Sequence, residues 1–589
     1  MCGIFAYTGI NQEAPSLVLG GLKNLEYRGY DSWGIAAIGK NGKLQVYKKT
    51  GKIGNSLIDN LGKSTLAIGH TRWATHGGVT IRNAHPHLDC TGSLGLIHNG
   101  IIENYDVLKK SLLKFGHRFN SETDTEVAVH LIEEYQKKLS FKEAVIKAFT
   151  EFQGLNAIIV MDSKTRLIAA AKNGSPLIIG KGRQENYLAS DAHALLPYTR
   201  NIYFMEDSEA VFINDKKITG YSLIDKREKE LHYTVLNWKS LKVDKGFYPH
   251  FMLKEIHDQL KMLEYIVNNQ DEGIKKFSKL IETSFGTYMV GCGTAAYASL
   301  AGTYIFSKIA KFHVNFSVAS EFAYLVDFLT EKSLVIALSQ SGETIDLIDA
   351  VRKARNNGAR IAALVNNLGS SLYRLADDKL LLNAGVEKAV VSTKAFTAKL
   401  AHLILIAYNL AGKPEEGKLI IRKSITEVRR ILKNEYQVKI KNLAKNLTAK
   451  NHIYIIGRGV SYPIALETAL KIKEASYIHA EGFAGGELKH GVIALVDKGT
   501  PCLAFLPEDE TYPDTTSGVM EMKARGGYMI GIGSKNQKVF DEFLEVHDCG
   551  IATMIPNILV GQLLGYYLAV NKGLDPDKPR NLAKSVTVK

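Results

Sequence analysis

The chain has 589 residues, of which 46% are hydrophobic and 23% are charged, a composition typical of a globular protein with three or four domains. Its formal net charge is +14, but lysine and arginine are dispersed and no aromatic-basic recognition motif is present, so we expect no nucleic-acid partner. No apolar run reaches the ~18 residues of a membrane span, and no basic region followed by an apolar stretch opens the chain, so we expect a cytoplasmic protein without a membrane partner.

The cysteines are scattered along the chain, at Cys2, Cys90, Cys292, Cys502 and Cys549. Their number is odd and no two of them form a CxxC pair, which argues against a disulfide framework and fits a reducing compartment. The same spacing offers no zinc motif, so we expect no metal site.

The chain begins Met1-Cys2-Gly3. Removal of Met1 would give Cys2 a free α-amine with a pKa of about 7.7–8.0, so that one residue would carry both a thiol nucleophile and a base. A Met-Cys start is more often accidental, and other features of the chain must support this interpretation.

Residues 1–235 are predicted to be rich in strands, because short β-branched runs are separated by glycine, asparagine and aspartate turns. The predicted strands are 66–68, 94–97, 157–161, 177–179 and 211–213. Helical periodicity is found at 14–25, 125–138 and 141–149. Strands and helices do not alternate strictly, so we expect an α+β domain of stacked sheets with outer helices, followed by a linker at 236–249.

From about residue 250 the pattern changes to α/β and contains an internal repeat. Residues 287–293 and 452–459 are both a strand that runs into Gly-x-Gly before a helical stretch, and a second buried strand follows each, at 333–338 and 501–506. We therefore predict two doubly wound α/β subdomains, at 250–430 and 431–574. The polar tail at 575–589 is, on composition alone, typical of a disordered terminus.

Polar residues in the first half supply the parts of an amide-hydrolysing site. A guanidinium such as Arg72 can grip an α-carboxylate, and a carboxylate such as Asp124 can hold an ammonium group. Asn99 followed by Gly100 can form an oxyanion hole. Each feature also has an ordinary explanation, since Asn-Gly is a strong hairpin signal and Asp124 lies where a helix cap is expected. Together with Cys2, they favour the catalytic interpretation.

The motifs that carry these residues resemble the glutaminase domain of the N-terminal-nucleophile amidotransferases. They are Cys2-Gly3-Ile4, residues 28–32, 69–77, 83–87, 98–100 and 122–124. The resemblance implies that Cys2 attacks the glutamine amide while its α-amine carries the proton. It also implies an oxyanion hole at Asn99 and Gly100, glutamine binding by Arg72, Thr75, His76 and Asp124, and an ammonia gate at Trp73. Trp33 stands where alanine is more usual, which we interpret as a packing change.

The second half contains a candidate phosphate cradle. Ser339, Gln340, Ser341, Gly342, Glu343 and Thr344 directly follow a predicted strand and open a helix, where hydroxyls and backbone N–H groups bind phosphate. An ordinary Ser/Thr cap is the alternative. The equivalent residues 507–510 of the second copy are acidic, so we expect one such site per chain. Gly291-Cys292-Gly293 resembles a dinucleotide motif, but the acid expected about 20 residues later is missing.

The second half resembles the sugar-isomerase (SIS) domain pair of the glutamine–fructose-6-phosphate aminotransferases. The match covers essentially the whole chain and is most specific at 339–344, 392–397, 465–491 and 579–588. It implies synthesis of glucosamine 6-phosphate from fructose 6-phosphate and glutamine, without a cofactor, and makes the tail part of the active site. The implied catalytic residues are Glu474, His490 and Lys584. The implied sugar-phosphate ligands are Thr294, Ser339, Gln340, Ser341, Thr344, Val390, Ser392, Lys471 and Ala583. His490 would come from a partner subunit, which implies a homodimer.

Besides Trp33, three positions depart from the family. Ala295 replaces a serine whose hydroxyl helps to hold the phosphate, and one lost hydrogen bond to a charged group is worth about 1.5–3 kcal/mol. Val460 and Ser461 replace a polar pair, for which we have no interpretation. Two alternatives remain open: an amidotransferase that acts on another sugar phosphate, and a sugar-phosphate sensor without turnover, against which the presence of Glu474 and Lys584 argues.

Overall fold

The computed structural model describes residues 2–39, 41–58, 60–236 and 244–587. The chain divides into two compact units, Met1–Lys242 with Ser585–Lys589, and Val243–Lys584. Residues 237–243 of the linker predicted at 236–249 lie outside the described residues.

The first unit contains the strands and helices β1–β15 and α1–α4. The strands are β1 Gly3–Gly9, β2 Ser32–Ile38, β3 Leu44–Thr50, β4 Leu66–Arg72, β5 His87–Leu88, β6 Leu94–Gly100, β7 Asn156–Asp162, β8 Leu167–Asn173, β9 Ile178–Lys181, β10 Glu185–Ala189, β11 Asn201–Phe204, β12 Glu209–Ile213, β13 Ile218–Ser222, β14 Arg227–Lys229 and β15 Thr234–Val235. The helices are α1 Ala14–Leu25, α2 Tyr105–Lys114, α3 Asp124–Gln136 and α4 Phe141–Glu151.

Two antiparallel sheets form the centre of this unit. An eight-stranded sheet has the order β15-β11-β9-β10-β1-β4-β2-β3, and a seven-stranded sheet has the order β14-β13-β12-β8-β7-β6-β5. Successive residues of β1 point to opposite faces, so Ile4 packs between the sheets whereas Phe5 packs beneath α1. On the outer face of the second sheet, α3 and α4 bury Val127 and Val145. The prediction of stacked sheets with outer helices is confirmed.

The local sequence explains the helices of this unit. Helix α1 has the predicted bounds, and α4 begins with a capping box in which Ser140 and Glu143 bond each other's backbone N–H groups. Helix α2 was not predicted.

Trp33 is fully buried, with its ring 5.2 Å from that of Tyr47, which agrees with a packing role.

The second unit contains β16–β25 and α5–α16. The strands are β16 Thr287–Gly291, β17 Asn315–Val318, β18 Leu334–Ser339, β19 Arg360–Val365, β20 Asp378–Leu381, β21 His452–Gly457, β22 His479–Ala484, β23 Pro501–Leu506, β24 Tyr528–Gly533 and β25 Glu542–Glu545. The helices are α5 Phe251–Asn269, α6 Asp271–Glu282, α7 Thr294–Ile305, α8 Ala319–Phe322, α9 Ile345–Asn356, α10 Ser371–Leu375, α11 Lys394–Leu410, α12 Pro414–Ile431, α13 Asn434–Leu447, α14 Ser461–Ser476, α15 Tyr512–Ala524 and α16 Met554–Asn571.

Each half of this unit has a five-stranded parallel sheet. The orders β17-β16-β18-β19-β20 and β22-β21-β23-β24-β25 are the same when counted along each copy, so the internal repeat is a repeat of topology. Both sheets are flanked by helices, as expected for the two predicted α/β subdomains, and the fold-class prediction is confirmed. The boundary proposed at 430 falls one residue before α12 ends and stays a prediction.

Helix α16 is the central apolar helix of the second unit. By length and composition alone, Gly550–Asn571 could cross a membrane. However, 89% of its 18-residue apolar window is buried inside the protein. The tail that follows is not loose, because the Asp577 carboxylate accepts the backbone N–H groups of Phe251 and Met252 at the start of α5, at 2.8 and 2.7 Å.

Candidate active sites

The first candidate site surrounds Cys2. Because β1 pairs with β4, Cys2 lies beside the residues that follow Arg72, and its Sγ accepts a hydrogen bond from the Trp73 backbone N–H at 3.3 Å. Burial raises the pKa of the Cys2 thiol, and the hydrogen bond from Trp73 opposes this effect. The thiol is therefore protonated at neutral pH and needs a base to become a nucleophile.

Asn99 and Gly100 end strand β6 beside Cys2. The Asn99 side-chain Nδ2 donates to the Cys2 carbonyl oxygen at 3.1 Å, and Asn99 Oδ1 lies 3.1 Å from Nε2 of His70. The same His70 nitrogen contacts the carbonyl oxygen of His98 at 2.9 Å, so Nε2 carries the proton. Burial lowers the pKa of His70 to about 3, which keeps the ring neutral. His70 thus orients the Asn99 amide with Nδ2 toward the cysteine.

All four predicted glutamine-binding residues line one small pocket at Cys2. The lining residues are Cys2, Arg72, Trp73, Thr75, His76, His85, His98, Gly100, Thr123, Asp124 and Thr125. Arg72 donates to the carbonyl oxygens of Gly77 and Gly78, at 3.0 and 3.1 Å, and to that of His76. Asp124 begins α3 and accepts the Ile102 N–H at 2.8 Å. The pocket thus offers a cation and a carboxylate, which match the two charged ends of an α-amino acid.

Residues that were not predicted from the sequence also position this site. The Arg28 guanidinium donates to the Cys2 carbonyl oxygen at 3.4 Å and pairs with Asp191 at 3.2 Å. Asp31 accepts the Ala74 N–H at 2.8 Å and so anchors the segment after β4. Arg28 and Asp31 belong to a polar cluster that the sequence shows, but their partners are distant in the chain.

The candidate phosphate cradle connects β18 to α9. Ser339 Oγ accepts the Gly342 N–H at 2.9 Å, and Ser341 Oγ accepts the Glu343 N–H at 3.1 Å. Gly342 has φ +68°, and a Cβ there would lie 2.1 Å from Ser370 Oγ, so glycine is required. Thr344 is the N-cap residue of α9, but its side chain makes no capping hydrogen bond. Side-chain capping of α9 therefore does not explain why a threonine stands at position 344.

Helix α14 carries a buried charged cluster. Lys471 Nζ lies 2.7 Å from Glu474, 3.3 Å from Glu467 and 3.0 Å from the Thr294 hydroxyl. Burial raises the pKa of Glu467 to about 7, against the opposing effect of Lys471. For Lys471, burial lowers the pKa but the two carboxylates outweigh it and raise the value to about 12. Lys471 is fully buried, so Lys471 and Glu474 do not form a solvated surface pair.

Lys584 belongs to a second buried cluster. Its Nζ donates to Glu387 at 2.6 Å, and the side chains are 4% and 0% exposed. Glu387 also accepts the Ser392 hydroxyl at 3.0 Å and the Thr393 N–H at 2.8 Å. Burial raises the pKa of Glu387, but Lys584 outweighs this effect and lowers the value to about 2. Lys584 is therefore not a terminal surface lysine.

Other predicted sugar-site residues lie around these clusters. Val390 donates its backbone N–H to the Asp577 carbonyl oxygen at 2.9 Å, and Ala583 is half-buried next to Lys584. Gln340 is half-buried at the end of β18. His490 is exposed, at the end of the short helix Glu487–His490.

Glu387 and Lys399 were missed by the sequence analysis. Lys399 is buried, and burial lowers its pKa to about 8. The charges of Glu387 and Glu467 raise this pKa, and the charges of Lys584 and Lys471 lower it further. The clusters on α14 and at Lys584 are therefore parts of one buried electrostatic network.

Comparisons with known proteins agree with this arrangement. Residues 70–197 match the family described as "Glutamine amidotransferase domain", and residues 284–408 and 446–558 match the family described as "SIS domain". The chain is 40% identical over 616 residues to a glutamine–fructose-6-phosphate aminotransferase [isomerizing] of Clostridium acetobutylicum, and 41% identical over 611 residues to one of Thermococcus kodakarensis. Each alignment covers 100% of both proteins.

The fold of the second half is also found among solved structures. The C-terminal domain of glucosamine-fructose-6-phosphate aminotransferase from Francisella tularensis aligns with a TM-score of 0.51 and 34% identity, covering 57% of this chain and 100% of that domain. The chain belongs to the glutamine–fructose-6-phosphate aminotransferase (isomerizing) family.

Proposed function

We propose that this protein converts fructose 6-phosphate and glutamine into glucosamine 6-phosphate and glutamate. The observation that carries the proposal is the pairing of two sites in one chain: a cysteine pocket with a cation and a carboxylate for the ends of an α-amino acid, and, in the second unit, a buried Lys/Glu network together with a candidate phosphate cradle. The full-length similarity to the aminotransferases supports the substrates.

In the first unit, the Cys2 thiol attacks the side-chain amide carbon of glutamine. The α-amine of Cys2, freed by removal of Met1, accepts the thiol proton and passes it to the departing nitrogen, so that ammonia leaves and a thioester forms. Asn99 Nδ2 and the Gly100 N–H stabilise the oxyanion. Arg72 and Asp124 hold the carboxylate and ammonium ends, with Thr75 and His76 beside them, and Trp73 gates the route of ammonia. Water then releases glutamate from the thioester.

In the second unit, the sugar phosphate binds at Ser339, Gln340, Ser341, Thr344 and Thr294. His490 assists opening of the ring, and Lys584 forms a Schiff base with the exposed ketone, which ammonia then replaces as the imine. Glu474 moves a proton from the first sugar carbon to the second, which converts the ketose imine into the amino aldose.

Val390, Ser392 and Ala583 line the sugar in this proposal, and Lys471 binds beside Thr294 and Glu474, which it contacts at 3.0 and 2.7 Å. The hydrogen bond from Lys584 Nζ to the buried Glu387 carboxylate supports the role of Lys584, because it holds the amine in one orientation.

We further propose that the enzyme acts in the cytoplasm as a homodimer. All five cysteines are free thiols, which suits a reducing compartment. His490 is exposed within its own chain, which suits a residue that serves the site of a partner subunit.

A coupled assay tests the function. Purified protein with its N-terminal residue established by mass receives glutamine and fructose 6-phosphate, and glutamate and glucosamine 6-phosphate are both quantified, with Cys2→Ala as the matched variant. We expect equal amounts of the two products from the wild type and neither from Cys2→Ala.

Glutamate without amino sugar would support the glutaminase and contradict the acceptor. In that event a panel of ketose and aldose phosphates identifies the true acceptor, and absence of turnover with every sugar phosphate, together with saturable binding of one, would favour a sensor.

A further inference from the structure

Four metal-ligand side chains meet at a place in the first unit that the proposed reaction does not use. They are Cys90, His117, His130 and Glu133, and their candidate ligand atoms all lie within 4.8 Å of one another. Cys90 Sγ is 3.7 Å from Nδ1 of His117 and 3.6 Å from Nδ1 of His130. Glu133 Oε2 is 3.0 Å from each of these nitrogens.

These separations match the edges of a metal tetrahedron. With Zn–S of about 2.3 Å and Zn–N or Zn–O of about 2.0–2.1 Å, tetrahedral geometry requires about 3.6 Å between sulfur and nitrogen and about 3.3 Å between nitrogen and oxygen. The two sulfur–nitrogen distances agree within 0.1 Å. The two nitrogen–oxygen distances of 3.0 Å need an expansion of only a few tenths of an ångström.

Three separate elements converge to build the cluster. Cys90 lies in the turn between β5 and β6. His117 follows the end of α2, where Gly116 has φ +86° and the His117 N–H bonds the Leu112 carbonyl oxygen at 3.1 Å. His130 and Glu133 are three residues apart on α3, so they share a face of that helix. A bound cation would tie these three elements together.

The surroundings of the histidines are those of metal ligands. His117 presents Nδ1 to the cluster, and its other nitrogen, Nε2, lies 2.8 Å from the Glu134 carboxylate. His130 also presents Nδ1, but its Nε2 lies 3.7 Å from Glu126, beyond hydrogen-bond distance, so of the two histidines only His117 has a carboxylate bonded behind it. A carboxylate behind a ligating imidazole fixes its tautomer and strengthens it as a ligand. His117 and His130 are buried, whereas Cys90 is exposed and leaves a path for entry.

We propose that Cys90, His117, His130 and Glu133 bind a single zinc ion in a closed structural site. One thiolate, two imidazoles and one carboxylate suit zinc, and four protein ligands leave no position for a substrate. Binding releases the protons held by the thiol and by the two Nδ1 atoms. The expectation of no metal site rested on cysteine spacing alone, and this ligand set contains only one cysteine.

The site has a structural consequence for the glutamine pocket. The zinc would join the β5–β6 turn and the segment after α2 to helix α3, which begins with Asp124. The metal would stabilise the framework that carries Asp124 without contacting glutamine.

Cobalt substitution tests the proposal. The full-length protein is prepared with Cys2→Ala, which removes the catalytic thiol as a competing ligand, is treated with a chelator, and is then titrated with Co²⁺ without oxygen. We expect one Co²⁺ per chain, with the thiolate-to-cobalt charge-transfer band and the visible bands of a tetrahedral site. Zn²⁺ should bleach these bands by displacement, and it should raise the melting temperature of the protein.

Matched variants locate the site. Cys90→Ser should lose the charge-transfer band and the zinc-dependent rise in melting temperature, whereas Cys549→Ser should keep both. Glu134→Gln, which changes only the carboxylate behind His117, should weaken metal affinity by about 10–100-fold while the band persists.

Two results would overturn the proposal. One is the absence of any Co²⁺ or Zn²⁺ binding at one ion per chain. The other is a charge-transfer band that survives in Cys90→Ser. Because Cys90 is exposed, its replacement by serine should not prevent folding, and a change confined to Glu134 provides an independent readout.

Discussion

Gly100 shows how one residue fixes the geometry of the glutaminase pocket. It ends β6 with φ +136°, and a Cβ there would lie 2.1 Å from the Leu155 carbonyl oxygen. The lack of a side chain lets β6 stay paired with β7 up to Gly100 and Asn156, next to Asn99. Gly100 is thus required by the strand end as well as by the proposed oxyanion hole.

We predict that Gly100→Ala destabilises the first unit and largely abolishes glutamine hydrolysis. The left-handed backbone alone costs about 1–3 kcal/mol, and the clash with Leu155 adds to it. Gly92→Ala is the matched control, because Gly92 also has a positive φ, +71°, but no atom lies within 4 Å of its Cβ. Urea unfolding and glutamate release measure the two effects. Equal losses in both variants would show that the clash plays no part.

Ala295 is the second informative residue. It is nearly buried in the first turn of α7, beside Thr294, where the family has a hydroxyl. We predict that Ala295→Ser lowers the KM for fructose 6-phosphate by about 10- to 150-fold, since a hydrogen bond to a charged group is worth about 1.5–3 kcal/mol. Initial rates at saturating glutamine and a range of fructose 6-phosphate concentrations measure this KM. Ala296→Ser is the control and should leave KM unchanged. An unchanged KM in Ala295→Ser would mean that Thr294 and the backbone already compensate.

At the scale of the element, α14 works as a charged helix face inside the protein. Glu467, Lys471 and Glu474 are spaced by four and three residues, so they form one stripe. Glu467 and Lys471 are both fully buried. The Lys471 ammonium group lies between the carboxylates of Glu467 and Glu474, and its charge offsets theirs. Removal of the cation should therefore cost far more than the loss of a surface ion pair.

We predict that Lys471→Met lowers the stability of the second unit by about 3–5 kcal/mol, the usual cost of leaving a buried charge unpaired. The double variant Glu467→Gln with Lys471→Met should lose less than the sum of the single variants. Midpoints of urea unfolding of the four proteins give the coupling.

The control for this cycle is the exposed pair of Lys413 and Glu416, 3.4 Å apart. Lys413→Met should change stability by less than about 1 kcal/mol. Strict additivity between Glu467 and Lys471 would contradict the cluster.

At the scale of the whole molecule, amide chemistry and sugar chemistry belong to different compact units. The first unit uses antiparallel sheets that bring Cys2, Arg72 and Asn99 to adjacent strand ends. The second uses parallel sheets, and strand–helix turns of this kind suit anion binding. We therefore expect a change in the sugar site to leave glutamine hydrolysis intact, whereas the loss of Cys2 also stops amino-sugar synthesis, which depends on the released ammonia.

We predict that the proposed dimer shares its sugar sites. His490→Ala and Lys584→Ala should each lack amino-sugar synthesis. When the two are mixed and allowed to exchange subunits, activity should recover to roughly a quarter of the wild type, because half of the dimers are mixed and each contains one intact site of two. Glutamine hydrolysis in both variants controls for folding. Failure to recover after subunit exchange has been verified would mean that His490 serves its own chain.

The sequence by itself determined the features that are local along the chain. Periodicity and turn residues predicted the bounds of α1 and the repeated α/β strands, because these depend on neighbours a few positions away. Motifs such as Cys2-Gly3 and residues 339–344 carry their chemistry within one strand end or one turn. The resemblance to the family then supplied roles for distant residues such as Lys584.

Only the tertiary structure decided which distant side chains meet. Glu387 and Lys584 are 197 positions apart, and Lys471 meets Thr294 across 177. Cys90 joins His130 across 40 residues, in no spacing that a motif describes. Burial, which raises the pKa of Glu467 and keeps His70 neutral, is likewise a property of packing. Local sequence encodes strands, helices and turns, whereas charge networks and metal geometry arise only when those elements pack.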